Sequence, residues 1–599
     1  MHDPPETGIF AEIADVRTRP PAALPGDPAS WLVVETPSRR VALKRFGDVQ
    51  VLQDEARQID LVVHGELYDG ASLPGLISSY QDVGASFVKE CNGLFSILLV
   101  DRRRDRVVLA TDRLRSKPLH VRRVAGRTYV STKLRHLVTC DSAPDRAGVA
   151  WYLCSGVVHM DGTVLAEVSR VPRASCCTLS DGGQRVTRYW NHEFTDEDGG
   201  RSFEQLRGDL ADLLVACVKK RPGGDDGALL SLSAGNDSRG ILGLLCHVGR
   251  RDSVKTFSYA AAEDIAGSDA AIAKRLADRC GVPHRLLLSY DGELDDAIER
   301  NARWGDGSAN FCDEALVWET LVSEHASRRP PLICGDTVLV DYEVDVVDMQ
   351  DTMNRAVRDF AGLAWIDGLL PDGQYGELRD AQAADLAHLQ RLLAETGDYL
   401  DMRYSLHLDR VCHLHLPWRE DFAARGFAVQ EPLLDNQLLD FSRRLPPEFR
   451  RYQQRLYVAA ASLVAPEVFT GPRADVSGCT IDWRDQLQRR AASLAVPPLE
   501  GGESCASSLD DLIDPGVVGK VLRLPQMAAP TAWSRLRGVA QRRMRREWGR
   551  VRRKVTGRQF PLRTSPADFL RRYLVLRRFL EVSGPDSLLA QLDSADRTE

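Results

Sequence analysis

The segment LLSLSAGNDSRG, residues 229–240, constrains this chain more than any other stretch. An apolar strand runs into a turn of Ser233, Ala234, Gly235, Asn236, Asp237 and Ser238, and the turn runs into a helix. Such small residues let backbone N–H groups come close to a polyphosphate, and the following helix presents its positive end to the same anion. The spacing matches neither the GxxxxGK[ST] phosphate loop nor the dinucleotide GxGxxG pattern. Around it helix and strand alternate: 203–220 reads as helix, 228–232 as strand, 241–249 as helix, VKTFSYA (254–260) as strand, and 268–280 as a helix with Ser268 as N-cap. This alternation predicts an α/β domain with a parallel sheet between helices, and residues 375–465 read as mostly helical.

Residues 31–140 have another texture. WLVVET, VALKRF, IDLVVHGELYDG, GLFSILLVDRRRDRVVLATD and RTYVSTK are β-branched and aromatic runs bounded by turns, which predict an antiparallel, sandwich-like β domain with few helices. Residues 145–192 read as a connecting extension ending in RYWNHEF. Three regions result: 1–195, 200–490, and a helical, Arg-rich extension 491–599 that begins with a loop, PPLEGGESCASSLDD.

Composition excludes some functions. With 43% hydrophobic and 27% charged residues the chain is globular rather than disordered, and its 13 cysteines form no CxxC pair, so they read as reduced thiols without a zinc site. There is neither a signal segment nor an apolar run of about 18 residues, which predicts a cytoplasmic protein that does not span a membrane. The basic run at 535–558 carries few aromatics (Trp548, with Trp533 just before it) in a chain of net charge −7. It reads as a solvated helical face, or a dock for an acidic partner or leader peptide, ahead of a nucleic-acid site.

The 229–240 turn resembles the S-G-G-x-D-S loop of the N-type ATP pyrophosphatases, with Ala234 in place of the first glycine. Three further segments resemble asparagine synthetases in the same order. SDAAIAKRLADRCGVPHRLL (268–287) looks like the helix ending in a G-x-x-H turn. ICGDTVLVDY (333–342) looks like G-G-D-E-L-F-G-G-Y, keeping Gly335, Asp336 and Tyr342 while Thr337 replaces the acid and Val340 and Asp341 the glycines. EPLLDNQLLDFSRRLPPEFR (431–450) looks like the R-x-P-F-L-D segment, with its aspartate as Asp435.

The amino-terminal half resembles class II glutamine amidotransferases, which have an N-terminal-nucleophile hydrolase fold: LVVHGELYD (61–69) is similar to N-G-E-I-Y-N, GLFSILLVD (93–101) to G-x-F-A-x-x-x-x-D, and ATDRLRSKPLHV (110–121) to R-D-x-x-G-x-K-P-L-Y. Those enzymes use an N-terminal cysteine whose own α-amine is the base. Here the first residues are Met1 and His2, the earliest cysteine is Cys91, and His64 and Asp69 replace both asparagines. The expectation is a platform without glutaminase activity.

The resemblance implies ATP and Mg²⁺ as cofactors, a substrate carboxylate adenylated with release of pyrophosphate, and an amine that then displaces AMP. It implies Asp237 and Asp336 as the Mg²⁺-organising carboxylates and Ser231, Ser233, Gly235, Ser238, Ser258 and Gly335 as nucleotide-binding residues. A family lysine falls in YQQRLYVAAA (452–461), where Gln454 or Arg455 stands, and Arg455 is the candidate catalytic cation. Without ammonia made in cis, the amine is expected from a substrate, as in β-lactam and lasso-peptide macrolactam synthetases. The arginine of N-D-S-R-G, the long extension, and Ile333 where β-lactam synthetases carry tyrosine favour the lasso-peptide type. Expected partners are then a precursor peptide or another carboxylate and amine substrate, with a leader-peptide-binding protein and a leader peptidase. Ammonia-dependent asparagine synthesis and a non-catalytic nucleotide-binding scaffold are the alternatives.

Overall fold

The computed structural model describes residues 6–18, 24–25, 30–180, 183–221, 223, 227–263, 265–308, 311–341, 348–395, 398–494, 505–527 and 563–597. The basic run 535–558, Tyr342 and residues 497–504 of the expected loop lie outside them.

Twelve strands of the amino-terminal region form two six-stranded antiparallel sheets. They are β1 (Gly8–Asp15), β2 (Trp31–Glu35), β3 (Arg39–Phe46), β4 (Val49–Asp54), β5 (Ile59–Leu67), β6 (Gly93–Asp101), β7 (Arg106–Thr111), β8 (His120–Val124), β9 (Arg127–Ser131), β10 (Val168–Arg170), β11 (Ser175–Ser180) and β12 (Gly183–Arg188). The orders are β10-β8-β9-β1-β3-β2 and β12-β11-β7-β6-β5-β4. Side-chain alternation packs the sheets face to face: Ile9, Ala11 and Ile13 of β1 meet Leu98 and Val100 of β6 in one core. The other faces are covered too. Phe95, Ile97 and Leu99 of β6 pack under helix α1 (Leu73–Val83), and Phe10 and Tyr129 pack with helix α2 (Arg146–Ser155). The result is a four-layer helix–sheet–sheet–helix sandwich, which is why β6 is buried along its whole length.

Two expectations about the amino-terminal region need correction. Residues 145–192 are no connector: α2, β10, β11 and β12 complete the layers, and β11 pairs with β7, setting Cys176 opposite Ala110 in a non-local ladder that no local pattern reveals. Strand β1 lies ahead of the expected start of the β region at residue 31, yet pairs with both β3 and β9. Its polar Glu12 masks an apolar strand, and that carboxylate is buried 3.0 Å from Arg127.

The second region opens with α3 (Phe203–Lys219), set by a Ser202/Gln205 capping box. Strands β13 (Ala228–Ser231), β14 (Val254–Ala260), β15 (His284–Leu288), β16 (Pro331–Ile333) and β17 (Ala428–Gln430) form a parallel sheet in the order β15-β14-β13-β16-β17. Strand order reverses between β13 and β16, so the crevice at their carboxyl ends is where a doubly wound sheet binds ligands. Helix α4 (Asn236–His247) follows β13, starting ahead of the expected residue 241 and taking Asp237 into its first turn. Helix α5 (Asp269–Cys280) starts from the expected cap: Ser268 accepts from the Ala271 N–H at 3.1 Å.

The expected loop after 490 is helical from Cys505 to Leu512, where Ala506, Leu509 and Leu512 recur at helical spacing and are buried. The carboxyl-terminal helix Pro566–Asp586 shares a core with α2 and with the helix Leu294–Trp304, so the extension is built into the body of the protein.

Candidate active site

Helix α4 begins at Gly235 without a side-chain cap, which leaves its first backbone donors facing the crevice. The loop before it is held by its own side chains. The Ser233 N–H donates to Ser238 Oγ at 3.0 Å, the Gly235 N–H to Ser233 Oγ at 3.1 Å, and the Ala234 N–H to Asp269 Oδ1 at 3.1 Å. The buried Arg239 donates to the Ala234 carbonyl at 3.1 Å and to that of Pro472 at 3.1 Å. Arg239 of the N-D-S-R-G run therefore shapes the loop. Gly335, just past β16, lies against the start of α4: a Cβ there would sit 3.1 Å from the Ser238 nitrogen. Glycine lets the two loops of the switch point meet this closely.

Asp237 and Asp336 come together across this contact. Burial pushes the Asp237 carboxyl up to about 7, and the nearby Asp336 charge adds to the shift. Asp336 behaves oppositely. Burial would raise it, but Arg419 and His415 outweigh burial and hold it well below the usual carboxylate range. Arg419 Nε donates to Asp336 Oδ2 at 2.9 Å, and His415 Nδ1 lies 3.0 Å from Oδ1. Glu431 and Glu314 stand behind, each 3.8 Å from Arg419, and burial raises both carboxyls. No group of three or more His, Cys, Asp or Glu suited to a metal ion occurs among the described residues. What remains is one carboxylate fixed in its charged form beside one whose ionisation is suppressed for want of a counter-charge. A divalent cation shared with a phosphate fits such a pair, since Mg²⁺ takes one or two carboxylates and completes its shell with phosphate and water.

The helix Gln453–Val464 supplies the third wall. Gln454 Nε2 reaches Asp237 Oδ1 at 3.5 Å and Tyr457 Oη donates to the Asp237 carbonyl at 3.0 Å. Asp341 caps this helix from outside, accepting from the N–H of Gln454 at 2.9 Å and of Arg455 at 3.2 Å. Of the two residues at the lysine position, Gln454 faces the carboxylate pair. Arg455 is exposed, 3.4 Å from Asp341 and stacked over Tyr452.

A cavity of about 420 Å³ opens beside the loop along the ends of β13, β14 and β15, and Ser231, Ser233 and Ser258 all line it. Ser258 Oγ lies 3.0 Å from Nε2 of His284, the histidine of the G-x-x-H turn, whose burial lowers it to about 4 and keeps it neutral. The lining also holds residues that sequence did not single out: Asp313, Glu314, Trp418 and, from the carboxyl-terminal helix, Arg571. Arg571 donates to Asp313 at 3.0 Å and lies over the rings of Phe311 and Trp483. Of the missed residues only Asp269 carried a local signal, standing next to the predicted Ser268 cap.

The three amidotransferase-like segments also converge, on a void of only about 80 Å³ lined by His64, Gly65, Leu94, Lys117 and Arg329. The second domain lines its other side with Ala424, Phe427, Ala428 and Val429. Glu420 is buried against Lys117, lies 3.5 Å from Lys133 and 3.5 Å from His64 Nε2, and burial lowers His64 to about 3. Cys91 is buried and burial pushes its thiol up to about 12, which disfavours the thiolate. Asp69 accepts from Asn92 at 2.7 Å and pairs with Lys220 at 2.9 Å, and Asp435 joins the same seam through Arg221 at 3.0 Å.

Comparison with known proteins matches residues 74–190 to the glutamine amidotransferase domain and residues 209–332 to asparagine synthase. Amidase chyE of Penicillium rubens is 26% identical over 291 residues, 43% of this chain and 42% of that protein. Amidase chry2 of Gibberella zeae is 24% identical over 285 residues, 42% of each. The chain thus spans about two fifths of the length of these two relatives. Asparagine synthetase [glutamine-hydrolyzing] 3 of Bacillus subtilis is 22% identical over 421 residues, 63% of this chain and 66% of that one. Among solved structures, the allosteric regulatory enzyme of purine biosynthesis aligns at 9% identity over 47% of this chain and 75% of that chain, with a TM-score of 0.19. No described helix is long and apolar enough to cross a membrane.

Proposed function

We propose that this asparagine synthetase-like chain is an ATP-dependent amide ligase that forms AMP and pyrophosphate, with its active site at the β13–β16 switch point. The supporting observation is the Asp237–Asp336 pair beside the uncapped start of α4, opening onto a cavity within the roughly 300–1,000 Å³ range of ligand pockets. ATP would lie with its pyrophosphate end on Ser233, Gly235 and Ser238 and its nucleoside along Ser231 and Ser258. A carboxylate of the substrate attacks the α-phosphorus, pyrophosphate leaves, and an amine then takes the acyl group and expels AMP. Mg²⁺, when bound, neutralises charge on the phosphoryl oxygens. Asp237 and Asp336 would hold it, while Gln454 orients the carboxylate of Asp237, Tyr457 holds its backbone carbonyl and Arg419 orients Asp336.

The amine comes from a substrate in this reading. The void at the amidotransferase-like segments is far below ligand size, and Arg329, Phe427 and Val429 of the second domain line its other side. The product class, a macrolactam closed between an Asp or Glu side chain and the amino end of a precursor peptide, rests on the resemblance to lasso-peptide enzymes. A leader-binding protein and a leader peptidase would accompany it. One observation favours the non-catalytic reading: Arg419 and His415 already satisfy Asp336.

The test is conversion of ATP by the full chain with Mg²⁺ and peptides carrying a free amino end and an internal Asp or Glu. Equal amounts of AMP and pyrophosphate, abolished in Asp237→Ala, are expected. Release of ADP, or an Asp237→Ala variant as fast as the parent, overturns the reading.

A further inference from the structure

Cys246 and Cys280 stand where the carboxyl ends of α4 and α5 meet, and their thiols are in hydrogen-bond contact. The chain folds back to bring them together, because the segment between them runs through β14 and α5 before the two helices pack against each other. Access to the two sulfurs differs. Cys246 is partly exposed near the end of α4, whereas Cys280 is 6% exposed and packs in the same core as Leu245 and Leu276.

The surroundings make one thiol acidic and keep the proton on the other. Cys280 donates its S–H to the sulfur of Cys246, and the exposed Arg251, in the turn Arg251–Ser253 just after α4, adds a second donor and a positive charge. Together they outweigh burial and the Glu467 charge and bring the Cys246 thiol down to about 7. The negative end of α4 opposes a thiolate there, and Arg251 stands at that end to offset it. The same sulfur contact, with burial second, holds Cys280 well above the usual thiol range. Elsewhere burial pushes Cys154, Cys176 and Cys312 up to about 12, as it does Cys91. A partly exposed thiolate beside a cation, touching a second thiol that lies beneath it, is the arrangement of an attacking cysteine and its resolving partner.

We propose that Cys246 and Cys280 form a redox-active dithiol that closes to a disulfide by exchange with a small disulfide. The Cys246 thiolate attacks one sulfur of the incoming disulfide, that S–S bond breaks, and one small thiolate leaves with the electron pair and takes a proton from solvent. The mixed disulfide removes the charge that held the proton on Cys280. Cys280 then gives its proton to solvent, its sulfur attacks Sγ of Cys246, and the second small thiolate leaves and is protonated. The protein dithiol is oxidised by two electrons, and the small disulfide is reduced to two thiols. A disulfide needs its sulfurs about 2 Å apart, and two thiols already in hydrogen-bond contact have only a short distance to close. The bridge ties α4 to α5 at the end away from the Ala234–Asp269 bond, so it clamps the two helices that frame the nucleotide loop without touching that loop. It stands whether or not the chain is a ligase.

In the experiment the folded, reduced full chain is treated with oxidised glutathione near neutral pH, remaining thiols are blocked with N-ethylmaleimide, and unreduced peptides are mapped by mass spectrometry. The parent is expected to yield a peptide pair joined through Cys246 and Cys280, released by dithiothreitol. Cys280→Ser should instead accumulate one glutathionyl group on Cys246. In Cys246→Ser, glutathionylation of Cys280 should be at least tenfold slower than loss of the Cys246 thiol in the parent. A mixed disulfide that persists on Cys246 of the parent overturns the proposal. So does retention of both thiols in the parent, or a Cys280 in Cys246→Ser that reacts as fast as Cys246 does in the parent.

Discussion

Arg419 holds Asp336 through a 2.9 Å bond from Nε to Oδ2, so the carboxylate of the second motif stays charged although enclosed, while its neighbour Asp237 is driven toward neutrality. The two aspartates read alike in the sequence and are unlike in the fold. Loss of Arg419 would strand Asp336 beside Glu431 and Glu314. Arg419→Met is predicted to cost about 3–5 kcal/mol, the range for breaking a buried ion pair, with Arg419→Lys intermediate. Denaturant unfolding near neutral pH measures this, and a loss under about 1 kcal/mol, the scale of a surface pair, would contradict it.

The shift at Asp237 has a defined sign. Its folded value of about 7 lies above an unfolded value near 3.9, so the folded state binds the proton more tightly. In metal-free protein this lowers stability as pH rises from about 4 to about 7, after which the loss is complete. Asp237→Asn lacks the titration, so its melting temperature should rise relative to the parent across that same interval. A difference that stays flat or narrows there would exclude the shift. Added Mg²⁺ should shrink the difference above pH 7 by favouring the ionised parent.

Asp341, which stands where the resembling motif has glycine, caps the helix that carries Gln454 and Tyr457. Asp341→Ala should destabilise by about 1 kcal/mol, and Asp341→Asn by much less, because asparagine caps nearly as well. Thermal melts distinguish the two. If the cap positions Gln454, Asp341→Ala also lowers the rate of AMP formation more than it changes the apparent affinity for ATP.

Glu420 fastens the two domains by taking Lys117 and Lys133, both from the sandwich. Glu420→Ala should cost about 3–5 kcal/mol, the range for removing one partner of a buried ion pair. It removes the carboxylate of Lys117 and leaves Lys133 with the carboxylate of Asp421, 2.8 Å away, and the backbone carbonyl of residue 420. Glutamine hydrolysis should be absent from the parent and from this variant alike, and measurable ammonia release from the parent would contradict the reading of this half as a platform.

How much of this can be read in the sequence depends on the range of the interaction. Residues 229–240 announce strand, turn and helix because the signal is local: small residues at the turn, apolar ones on either side. Ser268 is legible as a cap for the same reason, and His284 from its G-x-x-H spacing. The remaining parts of the site are assembled by distant chain segments. Arg419 and His415 sit on a helical stretch with no pattern that ties them to Asp336, and Arg571 reaches the cavity from a helix 258 residues beyond its partner Asp313. β16 and β17 have three residues each, too short for periodicity to register, although they create the switch point. Sequence favours Arg455 over Gln454 for its charge, and the helix phase turns Gln454 to Asp237 and Arg455 to Asp341.

The most direct test of the account is calorimetric binding of ATP with Mg²⁺ to the full chain, compared with Asp237→Ala and Ser233→Ala, because it needs no knowledge of the carboxylate substrate. The account predicts one saturable site in the parent, Mg²⁺-dependent, weakened at least tenfold in both variants while their melting temperatures show them folded. Binding of equal strength in parent and both variants, or none in the parent, would contradict a nucleotide site at the β13–β16 switch point.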